Sequence, residues 1–96
     1  MLTHLVMVKF KSETPRAEIE RIIAGLRSLP GRIPEIRRYE LGEDIVHSER
    51  SFDFGLVGQY DDLAALKRYQ EHPDHAPLGA ALRASAERMV AVDFES

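Results

Sequence analysis

The sequence predicts an α+β fold in which four strands form one antiparallel sheet with helices packed on one face. Three observations carry that prediction. Residues 2–10, Leu-Thr-His-Leu-Val-Met-Val-Lys-Phe, are rich in β-forming residues and lack Gly and Pro. Ile19, Ile22, Ile23, Leu26 and Leu29 then recur at steps of three and four, which is the apolar stripe of a helix. Strand-like runs return at residues 36–42, 52–60 and 88–95, with two more helical stretches between the last two.

Each element follows from its residues. In the first strand, alternation places His4, Val6, Val8 and Phe10 on one face and Leu5, Met7 and Lys9 on the other. Thr14 is the expected cap of the first helix, with Pro15 at its first position, and Pro30-Gly31 stops it. Residues 32–35 connect to the second strand, where Tyr39 and Leu41 lie opposite Arg38 and Glu40. A polar loop spans Gly42 to Ser51. In the third strand Phe52, Phe54, Leu56 and Tyr60 share a face, and Gly55 and Gly58 point to a bulge or a close approach. Asp61 or Asp62 caps a second helix reaching about Glu71, with Leu63, Leu66 and Tyr69 inward. His72-Pro73-Asp74 breaks it, and Asp74 is placed to cap a third helical segment from His75 to about Ala86. The order is β-α-β-β-α-α-β, a ferredoxin-like split βαβ pattern with a divided second helix.

Composition bounds the function. A chain of 96 residues has room for one domain. Cysteine is absent, which excludes a disulfide framework, thiolate metal sites and a cysteine nucleophile. No apolar run reaches the ~18 residues of a membrane span, and no secretory signal opens the chain, so a cytoplasmic protein without a membrane partner is expected. The net charge is −3 and no basic stripe is present, which argues against nucleic-acid binding. Helices on one sheet face leave the other bare, with Leu5, Met7, Val57 and Val90 or Met89 meeting water. An apolar face of that size implies a partner, and the economical one is a second copy, sheet against sheet, as a twofold dimer.

These residues also carry a family likeness. The opening His4-Leu5-Val6-Met7-Val8-Lys9-Phe10, then Ile33-Pro34-Glu35-Ile36, Gly42-Glu43 and Ser48 to Phe54 resemble the stress-responsive A/B-barrel (Dabb) family. So do Tyr69-Gln70-Glu71-His72-Pro73-Asp74-His75 and the ending Val90-Ala91-Val92-Asp93-Phe94. The resemblance covers essentially the whole chain. It implies a ferredoxin-like subunit and a homodimeric α+β barrel, and it implies no single function. One type of member folds a linear polyketide thioester into an aromatic acid with two histidines and a tyrosine, which by motif position fall on His4, Tyr69 and His75 here. The resemblance further allows a divalent ion on backbone carbonyls around Ile33 to Ile36.

Ring closure of the aldol type needs a base beside a carbonyl and a donor for the developing oxyanion. His75 follows a cap, and the positive end of the helix dipole there favours the neutral, basic imidazole. Tyr69 is the candidate donor, and His4 the residue that holds the far side of the substrate. The expected pocket is completed by Val6, Val8, Phe54, His72 and Leu78. No metal or organic cofactor is required. A second reading stands beside this one. His72-Pro73-Asp74-His75 is also a cap-and-turn device, and a buried Tyr69 hydroxyl is satisfied by a histidine, giving a non-catalytic dimeric binding or stress-associated protein. A metal site on His72 and His75 is the weaker alternative, since Pro73 interrupts the helix between them.

Overall fold

The computed structural model describes residues 1–96. The order is β1 (Leu2–Phe10), α1 (Arg16–Arg27), β2 (Arg38–Glu43), β3 (Phe54–Tyr60), α2 (Leu63–Glu71), α3 (Ala76–Ser85) and β4 (Ala86–Glu95). The four strands form one sheet in the order β2-β3-β1-β4, with every neighbouring pair antiparallel. This is the ferredoxin-like arrangement, with the helical segments on one side of the sheet.

Cross-strand partners share a face, so the register sorts the side chains. His4 lies between Gly58 of β3 and Asp93 of β4, and Val6 lies between Leu56 and Ala91. That face packs on the helices. Val8, Phe54, Leu56 and Tyr60 meet Ile22, Ile23 and Leu26 of α1 and Leu66 and Tyr69 of α2 in one buried cluster. The opposite face carries Leu5 and Met7 of β1, Val57 of β3, and Val90, Val92 and Phe94 of β4. Met7, Val92 and Phe94 are each about half exposed, at 45%, 51% and 46%. Val90, rather than Met89, belongs to this open face, because Val90 pairs with Met7 and Met89 with Val8.

Local details depart from the sequence expectations, each for a physical reason. Thr14 does not cap α1. Pro15 occupies the cap position and the Thr14 hydroxyl donates to the Ser85 carbonyl at 3.3 Å, tying the loop after β1 to the end of α3. The helix ends at Arg27, and Leu29 reaches the core from a separate 3-10 turn, Leu29–Gly31, which accommodates Pro30. The second and third strands start two residues later than predicted, so Phe52 precedes β3. The glycines of β3 mark no bulge. Its pairing with β1 is continuous, and the irregularity falls in β1 between Lys9 and Phe10. Asp62 caps α2 by accepting the Ala65 N–H at 2.8 Å, while Asp61 pairs with Arg37. Leu63 is 55% exposed rather than inward, since it directly follows that cap. Asp74 does not cap α3. His75 takes the cap position, and no side chain closes that end.

Candidate functional site

The β1–β4 half of the sheet, α2 and α3 frame a half-open cavity of about 430 Å³. His4 and Val6 line it from β1, Leu56 from β3, and Met89 and Ala91 from β4. Leu26 closes it from α1, Tyr69 and Gln70 from α2, and His75, Gly79, Leu82 and Arg83 from the α3 side. The volume lies within the range of small-molecule sites, and such sites are lined mainly by apolar groups with a few polar ones.

Two of its walls carry a histidine held by Nδ1. On the sheet, His4 Nδ1 bonds to the Asp93 carboxylate, its register partner on β4. On the helix side, the His75 ring sits 3.1 Å through Nδ1 from the Gln70 carbonyl oxygen. Carboxylates and carbonyls only accept, so each Nδ1 carries a proton, and in neutral His75 the lone pair is on Nε2. Burial lowers the His75 pKa below its ordinary value, and the nearby Arg83 charge adds to the effect. The helix terminus is consistent with the same direction, but desolvation is the principal cause.

Tyr69 is buried beside His75. Its ring packs on His75, with centroids 4.3 Å apart, and on Tyr60 at 4.9 Å. Its hydroxyl is 2.7 Å from that of Tyr39 on β2, so its partner is a second phenol and not a histidine. Burial pushes Tyr39, Tyr60 and Tyr69 above the ordinary phenol range, which keeps all three protonated and able to donate. The Tyr60 hydroxyl is buried and has no hydrogen-bond partner.

The structure brings His4, Val6, Tyr69 and His75 to one cavity and leaves four of the expected pocket residues outside it. Val8 and Phe54 are 0% and 2% exposed and lie deeper in the core. His72 does not line the cavity, and its Nδ1 accepts the Asp74 N–H at 3.0 Å within the turn. Leu78 packs instead against α1, where it fills the space above Gly25. Asp93, Tyr39, Gln70 and Arg83 were not anticipated. Only Arg83 left a local signal, since His75, Gly79 and Arg83 follow one another at intervals of four along α3. No group of three His, Asp or Glu side chains is arranged to hold a metal ion. At the carbonyl segment considered for a divalent ion, the Ile33 oxygen accepts the Ile36 N–H at 3.2 Å.

The fold and this cavity define a ferredoxin-like α+β protein with a small, mainly apolar chamber between sheet and helices. The chain belongs to the stress responsive A/B barrel domain family, whose model matches residues 2–96. It is 37% identical over 98 residues to an uncharacterized protein of Streptomyces coelicolor, covering 99% of both chains. It is 23% identical over 93 residues to the olivetolic acid cyclase of Cannabis sativa, covering 95% of this chain and 92% of that one. A crystal structure of a dimeric ferredoxin-like protein of unknown function from Thermobifida fusca superposes with a TM-score of 0.89 at 28% identity, over 99% of this chain and 90% of that one. No helix is long and apolar enough to cross a membrane.

Proposed function

We propose that this protein is a homodimer whose cavity binds a small carbonyl compound and promotes cofactor-free acid–base chemistry, with polyketide cyclisation as the type reaction. The observation that carries this reading is the pair of histidines tied through Nδ1 on facing elements of one cavity. His75 Nε2 takes a proton from the carbon beside a carbonyl, and Tyr69 donates to the carbonyl oxygen as it gains charge. The Tyr39–Tyr69 contact permits this, because with Tyr39 donating, the Tyr69 proton is left for the ligand. In a linear polyketide the enolate carbon then attacks a second carbonyl carbon. A C–C bond forms, the π pair moves to oxygen, and that oxygen recovers the proton from His75. His4 holds the opposite side, with Asp93 as its positioning residue. The cyclase relative supports this class of reaction. The dimeric neighbour and the half-exposed Met7, Val92 and Phe94 support the homodimer.

The Tyr39–Tyr69 bond also favours a second reading, a non-catalytic binding protein whose polar groups satisfy one another. Deuterium exchange decides between them. With 4-phenyl-2-butanone in D2O, the protein is expected to speed loss of the α-proton NMR signals over buffer. His75→Ala should lose about 10²-fold of that rate, in line with the removal of a positioned base. Binding of the ketone without faster exchange would leave the non-catalytic reading standing.

A further inference from the structure

The cavity carries a charge that the chemistry above does not use. Arg16, Arg21, Arg37, Arg38 and Arg68 each pair with a carboxylate on the surface. Arg27, Arg32, Arg50, Arg83 and Arg88 pair with none, and of these Arg83 lines the cavity. Its position is specific. Arg83 lies in the last turn of α3, where a cation is favoured by the helix dipole, yet its guanidinium is folded back along the helix to Gly79. A Cβ at Gly79 would stand 3.4 Å from Arg83 Nη1 and 3.1 Å from His75 Cε1. The missing side chain therefore leaves room for guanidinium and imidazole to flank Gly79 on one wall.

The rest of the lining completes the pattern. None of the residues around the cavity is Asp or Glu. Asp93, the nearby acid, is engaged with His4. Beyond Arg83 and the His75 edge, His4, Tyr69 and Gln70 are the polar lining, and the apolar walls include Val6, Leu26, Leu56, Leu82 and Met89. A chain of net charge −3 thus presents one exposed, unpaired arginine and no carboxylate at a mainly apolar cavity.

We infer that the cavity takes an apolar small molecule bearing one carboxylate, with Arg83 as the residue that selects it. The guanidinium fork matches a carboxylate bidentately. A single cation balances one negative charge, which favours a monocarboxylate over a phosphate ester. The inference rests on the cavity being a ligand site, as proposed above, and names the class of ligand. Bound in this way, the carboxylate lies beside His75 while the apolar body fills the space toward Met89 and Leu56.

Calorimetric titration with 4-phenylbutyrate and its uncharged counterpart 4-phenylbutyramide tests this. The wild-type protein is expected to bind the acid about tenfold more tightly than the amide. In Arg83→Gln that preference should vanish, with amide affinity unchanged, and Arg83→Lys should restore only part of it. The His75 ring signals in NMR should move with the acid in the wild type. Equal affinity for both probes, or a preference that survives Arg83→Gln, would overturn the assignment while leaving the cavity a ligand site. Failure of both probes to bind, with the His75 signals unmoved, would overturn this assignment and the ligand-site reading together. Preferential acid binding without deuterium exchange in the ketone assay would support the carboxylate site and count against the catalytic reading alone.

Discussion

Gly58→Ala is expected to destabilise the protein by about 1–3 kcal/mol, the usual cost of overpacking a filled core, and to lower its melting temperature by roughly 5–20 °C for a chain of this size. The added Cβ would stand 2.5 Å from the Tyr60 hydroxyl oxygen and 3.0 Å from Cε1 and Cζ. Tyr60 has nowhere to retreat. It is 0% exposed, and its ring packs on Tyr69, which packs in turn on His75. The strain therefore passes along the aromatic stack into the cavity. Tyr60→Phe is the informative companion. Its hydroxyl is buried without a partner, so removing it should be neutral or stabilising. Combined with Gly58→Ala, it should recover part of the loss, because the closest clash is with the oxygen it removes. Thermal denaturation of the four proteins reads the non-additivity directly. Simple additivity would show that Tyr60 is not what occupies the space above Gly58.

Val92→Asp is expected to turn the proposed dimer into a folded monomer at micromolar concentration. Val92 pairs with Leu5 on the open sheet face and is half exposed in the isolated subunit, so the fold has little reason to object. A dimer would bury two such carboxylates against Leu5, Met7 and Phe94. An unpaired buried charge costs about 3–5 kcal/mol, and a twofold interface meets it twice, so dissociation should rise by at least about 10³-fold. Sedimentation equilibrium with circular dichroism on the same samples separates dissociation from unfolding. An unchanged dimer would move the interface away from the β1–β4 half of the face.

The parts of the fold legible in sequence are those with a local cause. The β-formers of residues 2–10, the stripe of Ile22, Ile23 and Leu26, and the Pro73 break each act within a few residues, and each element stands close to its predicted place. His4, Tyr69 and His75, expected together from motif position, line one cavity. What could not be read depends on register and packing between distant segments. Asp93 reaches His4 only because β4 pairs with β1 in one particular register, across 89 residues of sequence. Tyr39 meets Tyr69 because β2 is the edge strand beside β3, a placement no periodicity specifies. Val8 and Phe54 have the right parity for the pocket, but the cavity lies toward β4 and these two sit beyond its floor. Leu78 has helical spacing, and depth decides its role: Gly25 leaves a hollow on α1 that it fills.

The protonation of the two histidines tests the proposed chemistry most directly. Long-range proton–nitrogen NMR correlation on uniformly ¹⁵N-labelled protein near neutral pH identifies which ring nitrogen carries hydrogen. The geometry predicts a proton on Nδ1 of both His4 and His75, and a His75 with unprotonated Nε2 whose titration midpoint lies below the ordinary value of about 6.5. A His75 protonated on Nε2, or one titrating at or above that ordinary value, would contradict its assignment as the base.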